Sequence, residues 1–367
     1  SSGPGLGGLC VLVLLALLAP ASGWAASEST SAAKSPNQAA VRLTDGSVIM
    51  GAVTGIRADV LTLETAFSED ALAIDVSHIE SLRWLQKTEL LLDDDRVVVV
   101  PTLEVAGGEL DLGEDTIPLS AVDIMNPEDW EEGVGYHWTG DTSTAIAFNR
   151  GNTQTDEFDL KANTVLKSTR DRITFNGQYE RDDAYNLVTV AGRDVKQNVV
   201  TADNWKVLAK YDYFLEDTRN YIGVNGSVEA DALAGIDLRT YAGPYAGRQL
   251  FDNDWLKLDG ELGLAFVATE YDPAVDQQDN DYTGANWNLT GESNVLGGDS
   301  RLYLRHVGIV DVADTDQLIL KNTVGLAFPL LFGLEAAAEV TVNYDGTAAA
   351  DREKVDEVYS FRVGYAW

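Results

Sequence analysis

Residues 359–367 read Tyr359-Ser360-Phe361-Arg362-Val363-Gly364-Tyr365-Ala366-Trp367. In a β-strand successive side chains point to opposite faces. Tyr359, Phe361, Val363, Tyr365 and Trp367 then share one face, and Ser360, Arg362, Gly364 and Ala366 share the other. A run of large apolar residues on every second position, ending on an aromatic, suits a barrel wall turned to lipid. The same alternation would also serve the last strand of a soluble sandwich, with the apolar face on a core. The rest of the chain decides between them.

Eleven more segments alternate in the same way, near 141–150, 154–167, 171–181, 201–213, 218–230, 236–249, 254–271, 280–293, 299–311, 315–328 and 333–345, with the last strand at 355–367. Phe158, Leu160, Ala162 and Leu166 oppose Glu157, Asp159, Lys161 and Asn163; Leu334, Ala336, Ala338, Val340, Val342 and Tyr344 oppose Glu335, Glu339, Thr341 and Asn343. Strands of soluble sheets run nearer about 5–6 residues. Twelve longer ones, each apolar on one face and charged on the other, predict an all-β, twelve-stranded antiparallel transmembrane barrel over 140–367.

Connection lengths supply an independent check. The long connections, 182–200, 272–279 and 346–354, follow odd-numbered strands, and the short ones near 168–170, 297–298 and 331–332 follow even-numbered strands. Long extracellular loops and short periplasmic turns are the expected asymmetry, and an even strand count puts both barrel ends in the periplasm. Aromatic girdles are expected from Phe148, Tyr179, Tyr344 and Tyr359 at the outer end and Tyr213, Trp255, Phe328 and Trp367 at the inner end. Pro244 removes a ladder donor inside strand six and predicts a bulge there.

Ahead of the barrel the pattern is shorter. Residues 9–19 are an unbroken apolar run followed by Pro20 and small residues, which reads as a signal peptide over 1–25 with cleavage after Ala25. Residues 26–40 are a polar linker rich in Ala and Ser. Residues 41–127 hold short alternating bursts separated by Asp45-Gly46, Gly55 and Asp94-Asp95, all turn chemistry. Two related units, 41–84 and 88–127, close alike on Val76-Ser77-His78-Ile79 and Ala121-Val122-Asp123-Ile124. They predict a small periplasmic domain of two SH3-like or Sm-like half-barrels serving to dock or space, with a ligand groove between the units as the alternative. Residues 128–139 form a connector.

Among the 367 residues the formal charge is −33, and phosphate binding needs clustered Lys and Arg, so nucleic acid is excluded as a partner. A mean hydropathy of −0.11 argues against a bundle of membrane helices but not against a barrel, where only alternate residues are apolar. The single cysteine, Cys10, lies beside the leading apolar run, so the mature chain forms no disulfide.

Arg150-Gly151-Asn152-Thr153-Gln154-Thr155 leading into strand two, Gly235-Ile236-Asp237-Leu238-Arg239-Thr240-Tyr241-Ala242-Gly243, and the aromatic C-terminus resemble the salt-induced outer-membrane protein family, domain of unknown function 481. The resemblance covers roughly 138–367 and leaves the N-terminal domain outside. It implies an outer-membrane barrel and supplies no catalytic residues.

The residues themselves offer little chemistry. Apart from the leader, the imidazoles are His78, His137 and His306. His306 shares the lipid-side face of Leu302 and Leu304, with Ser300 near the strand start, so a lipid hydrolase is one alternative. The acidic stretches Asp276-Gln277-Gln278-Asp279-Asn280-Asp281 and Asp311-Val312-Ala313-Asp314-Thr315-Asp316 offer oxygen ligands but not a full calcium-loop spacing. A surface-binding protein using acidic loops is a second alternative. No catalytic, cofactor or metal site is assigned. Expected partners are outer-membrane lipids, lipopolysaccharide and, during biogenesis, the barrel-assembly machinery; the sequence names none for the N-terminal domain.

By parity the lumen carries Asp159, Lys161, Lys206, Lys210, Arg239, Glu261, Arg301, Arg305, Glu335, Glu339 and Arg362. Long side chains of both signs beside Ala145, Ala147, Gly263, Ala265, Gly325 and Ala327 predict a narrow or closed pore of weak selectivity. The expected role is non-enzymatic: envelope integrity, or narrow-pore permeation under salt or osmotic stress.

Overall fold

A computed structural model describes residues 39–68, 70–113, 115–149, 154–190, 193–253, 255–275, 278–297, 300–346 and 354–367, without side chains at 146–149, 154–155, 186–190, 193–196 and 356. The expected signal peptide with its cleavage site, and nearly all of the expected linker, lie outside these residues. The chain divides into two compact units, up to Asn126 and from Pro127 onward.

The first unit is a repeat. Its first copy comprises β1 (Ala39–Leu43), β2 (Val48–Arg57), β3 (Val60–Glu64), β4 (Leu72–Asp75) and β5 (Ile79–Trp84), with a short 3-10 turn, Val76–His78, before β5. The second comprises β6 (Thr88–Leu92), β7 (Val97–Val100), β8 (Leu103–Ala106), β9 (Glu109–Asp111), β10 (Thr116–Pro118) and β11 (Val122–Met125), with a 3-10 turn, Leu119–Ala121, before β11. The hairpin joining β2 to β3 turns on Ala58 and Asp59 (φ 47° and 64°), and the one joining β8 to β9 on Gly107 and Gly108 (φ 64° and 79°). Positive φ at both central residues matches the twist of the flanking strands. β2 runs through as one bent strand, whereas its counterpart breaks into β7 and β8 at Pro101, which has no amide to donate.

The two copies are not side-by-side half-barrels. β5 of the first pairs with β8 of the second, from Ser81↔Ala106 to Trp84↔Leu103, and β11 pairs with β2 at Ile124↔Arg57. Each copy lends its last strand to the other, giving one eleven-stranded sheet. Val41, Ile56, Leu61, Leu63 and Ile79 are buried in the same core as Leu90, Leu103, Leu110, Leu119 and Val122. The space between the copies is thus filled with apolar side chains, and the groove weighed as the alternative is absent among the described residues. His78 belongs to the 3-10 turn, where the neighbouring Asp75 accepts from both the amide (2.9 Å) and the hydroxyl (2.6 Å) of Ser77. Those bonds hold the Asp75 carboxyl below its ordinary range.

The second unit is a closed barrel of twelve antiparallel strands. They are β12 (His137–Asn149), β13 (Gln154–Lys167), β14 (Asp171–Val190), β15 (Arg193–Phe214), β16 (Asn220–Asp231), β17 (Ile236–Asp252), β18 (Leu256–Tyr271), β19 (Asn280–Ser293), β20 (Arg301–Asp311), β21 (Leu318–Pro329), β22 (Leu334–Asp345) and β23 (Val355–Ala366). Closure leaves no open edge, the condition for a sheet in hydrocarbon. The outer wall is apolar and open: Leu262 is 72% exposed, Phe266 69% and Phe361 82%. No core of the protein covers these residues, which excludes the sandwich alternative.

Two expectations need correction. Residues 182–200 are not a loop: β14 and β15 continue as a paired ribbon from Asp183↔Val200 to Val190↔Arg193, after a register shift at Asp182/Asp183. Pairing with the neighbours β13 and β16 ends opposite Tyr185 of β14 and Asn204 of β15, so the ribbon extends past the wall by about 17 Å on one side and about 36 Å on the other, at roughly 3.3 Å per residue. Pro244 makes no bulge. The register is the same at Ala242↔Phe266 and Tyr245↔Gly263 on either side of it, and the shifts in this strand pair fall instead at Ile236/Leu238 and Gln249/Phe251. Pro244 faces outward and simply leaves a gap in the ladder. Of the girdle residues, Tyr213, Trp255, Phe328, Trp367 and Tyr359 are exposed, and the side chain of Phe148 lies outside the described residues.

Candidate functional site: the barrel lumen

Alternation sends half of each strand's side chains inward, and the register puts all eleven charged residues expected in the lumen on that face. Eight of them are gathered into three clusters. Near the short-turn end, Asp212 accepts from Arg172 Nε (2.7 Å) and from the Tyr245 hydroxyl. Glu261 accepts from Lys210 Nζ (2.6 Å), Tyr221 Oη (3.0 Å) and Asn288 Nδ2 (3.0 Å). Phe214, Tyr221 and Tyr245 form a small buried apolar cluster here, and the Arg172 guanidinium lies 5.1 Å from the Tyr221 ring centre.

The second cluster joins Lys206, Glu229, Arg239 and Asp345. Glu229 accepts from Lys206 Nζ and from Arg239 Nη1 (3.2 Å), and Arg239 Nη2 reaches Asp345 at 3.5 Å. The third centres on Glu339, which accepts from Lys161 Nζ (2.6 Å), Tyr303 Oη (2.7 Å) and Arg362 Nε (2.7 Å); Arg362 also donates to Asp159. Ions withdrawn from bulk water are tolerated when each is paired and hydrogen-bonded. These are.

Several contacts cross the lumen. Arg239 on β17 meets Asp345 on β22, five strands away around a twelve-stranded ring. Lys321 on β21 donates to Gln178 on β14 at 3.4 Å, also five strands away. Arg172 on β14 lies 3.7 Å from Asp259 on β18. Arg301, by contrast, binds Glu292 and Glu335 along the wall, at 3.1 and 2.8 Å. Parity identifies which residues face inward, but only the barrel's cross-section shows which of them meet.

His306 is on the outer face, as its parity implies. Its Nε2 accepts from Trp287 Nε1 (2.8 Å) and its Nδ1 lies 2.5 Å from Asn322 Oδ1, so with the first bond fixed the second nitrogen carries the proton. Both ring nitrogens are occupied, and the Ser300 hydroxyl donates to the Gly297 carbonyl instead (2.7 Å). Such a ring has no free lone pair with which to act as a base toward serine. His137 sits beside Trp130, ring centres 5.2 Å apart, with Glu128 at 3.6 Å.

In the acidic stretches, Asp276 and Gln277 lie outside the described residues. Asp279 accepts from the Tyr271 amide (3.0 Å), Asp311 from the Ala313 amide (2.9 Å) and Asp314 from the Asp316 amide (3.1 Å). These carboxylates close turns. Among the described residues, no group of three or more His, Cys, Asp or Glu side chains is placed to hold a metal ion.

Residues 143–367 match the model of a family described as protein of unknown function, DUF481. No curated protein matches the chain. Among solved structures it is similar to the NanC porin, with 8% identity over 62% of this chain and 98% of that one and a TM-score of 0.36. It is similar also to the translocator domain of the autotransporter NalP from Neisseria meningitidis, with 12% identity over 64% and 88% and a TM-score of 0.34. A third is the outer membrane channel DcaP of Acinetobacter baumannii, with 10% identity over 63% and 96% and a TM-score of 0.26. The likeness is one of barrel architecture.

Proposed function

This chain belongs to the DUF481 family, and on that premise we propose that it is a non-enzymatic outer-membrane barrel that passes small solutes through a narrow lumen. The reading includes a periplasmic N-terminal domain and a role in envelope integrity or permeation under salt or osmotic stress. Outer-membrane lipids and lipopolysaccharide meet its wall, and the barrel-assembly machinery handles its insertion. One observation carries the permeation reading: side chains from nearly opposite walls meet at Lys321–Gln178 and Arg239–Asp345, in a lumen otherwise lined by water-compatible groups. Eight-stranded barrels are filled by their own side chains and sixteen-stranded ones hold open channels, so a crossed twelve-stranded lumen sits between.

Planar bilayers holding the full chain should show small, steady conductance steps. Arg301→Ala, which acts along the wall, should change them little. Gln178→Ala, which removes a contact across the lumen, should raise them, since pore diameter and the groups that line it set the conductance. Large porin-like conductance from the unmodified chain would show that the crossing contacts do not limit the lumen.

The orientation has its own test. The ribbon formed by β14 and β15 is the longest described extension from the end where β12, β14 and β16 finish, and short turns occupy the other end, where β12 begins. Intact cells carrying Asn186→Cys should react with a membrane-impermeant thiol reagent, and cells carrying Asp45→Cys should not. Labelling of Asp45→Cys alone would invert the topology.

A further inference from the structure

Arg305 and Lys321 are lumenal cations that stand outside the paired clusters. Arg305 on β20 lies opposite Thr323, and Lys321 on β21 lies opposite Val307, so the two are diagonal neighbours on the same inward face. Diagonal residues on adjacent strands are within reach of one another's long side chains, and like charges placed so oppose each other. Neither has a carboxylate within ion-pair distance among the described residues. Lys321 Nζ has the neutral amide oxygen of Gln178 at 3.4 Å. The charges of Lys206, Lys161 and Arg305 all bear on it, and an acid that also bears on it, Glu229, is already held by Lys206 and Arg239.

The neighbouring ion pairs, Lys206–Glu229, Arg239–Glu229, Arg239–Asp345, Lys161–Glu339 and Arg362–Glu339, include neither cation. A chain with a formal charge of −33 has acids to spare, yet none pairs with these two cations. Two adjacent like charges inside a narrow, poorly screened lumen are unfavourable unless something mobile and negative offsets them.

We propose that Arg305 and Lys321 form a binding site inside the barrel for a small, water-soluble oxyanion, a solute bearing a carboxylate or a phosphate group. The guanidinium supplies a planar fork that can take two oxygens at once, and the ammonium supplies a compact charge beside it. The barrel wall separates the site from bilayer lipid, so its occupant comes from the aqueous phase. The site deepens the permeation reading and rests on its water-filled lumen.

The test is calorimetric titration of the full chain, refolded in detergent at low chloride, with inorganic phosphate and separately with acetate. The unmodified chain should bind phosphate saturably and acetate more weakly. Arg305→Gln and Lys321→Gln should each weaken phosphate at least tenfold, and the double variant should not bind it. Arg305→Glu, which gives Lys321 an internal carboxylate, should abolish binding while heat-modifiable migration stays normal, so that loss of fold is not mistaken for loss of site. Equal phosphate binding by the double variant, or none by the unmodified chain, would overturn the proposal. So would phosphatidylglycerol vesicles occupying the site with the same dependence on Arg305 and Lys321, because the occupant would then be a lipid headgroup. Conductance recorded on the same preparations separates the two readings: phosphate binding without conductance removes permeation and keeps the site, and conductance with unaltered phosphate binding does the reverse.

Discussion

Arg362→Ala should cost the barrel about 3–5 kcal/mol, the range for leaving a buried ion without its partner. Arg362 is 3% exposed, and it ties the last strand, β23, to three others. Its Nε donates to Glu339 on β22 at 2.7 Å, another nitrogen donates to Asp159 on β13, and Nη1 lies 3.5 Å from the Ser143 hydroxyl on β12. The junction it spans is the thinnest in the barrel: β12 and β23 pair over four positions, from Asp141↔Ala366 to Thr144↔Val363, beyond which Trp367 and Gly140 exchange backbone hydrogen bonds of 2.9 and 3.0 Å. Without the guanidinium, Asp159 and Glu339 would be left facing each other across that junction with Lys161 alone between them. Urea titration of refolded protein, followed by heat-modifiable migration, measures the loss. Arg362→Lys should recover part of it, since an ammonium keeps the charge but not the fork. A midpoint for Arg362→Ala equal to that of the unmodified chain would show that closure does not depend on this residue.

Gly243→Val should prevent the barrel from forming. A β-carbon at Gly243 would lie 1.9 Å from the Leu264 carbonyl oxygen and 2.8 Å from the Ala265 α-carbon, both backbone atoms of β18 that no side-chain rotation can move. The cost is expected to exceed about 3 kcal/mol, the upper end of ordinary overpacking. Gly226→Ala, whose nearest neighbour would be the Tyr241 carbonyl oxygen at 3.5 Å, is the control and should fold normally. The comparison is read as the fraction of protein that migrates as folded barrel before boiling. Equal folded fractions for the two variants would mean that β17 and β18 can separate at Gly243 without harm.

Much of the architecture was legible along the chain. A strand in a lipid-facing wall must show its apolar side on every second residue, so the alternation of Tyr359, Phe361, Val363 and Tyr365 fixed a face, and eleven similar segments fixed a barrel. The same parity put Arg362, Glu339, Glu261 and Arg239 inside before any contact between them was known. The repeat in the first unit was legible for a similar reason, since acidic turns recur between short apolar bursts. What parity cannot supply is register and cross-section. Tyr245 covers Gly223, Tyr221 covers Gly247, Trp287 covers Gly308 and Tyr303 covers Gly325, each aromatic directly opposite its glycine on the next strand. That matching exists only once neighbouring strands are aligned. The ribbon of β14 and β15 escaped the sequence because its apolar residues, such as Leu187, Val188 and Val190, do not alternate strictly with polar ones. The exchange of β5 and β11 between the two repeats escaped because a strand's own pattern does not name its partner. The unmatched Arg305 and Lys321 are of this kind as well: parity put Arg305 in the lumen, and only the register of β20 against β21 sets Lys321 diagonally beside it, with no carboxylate of the described residues within ion-pair distance of either.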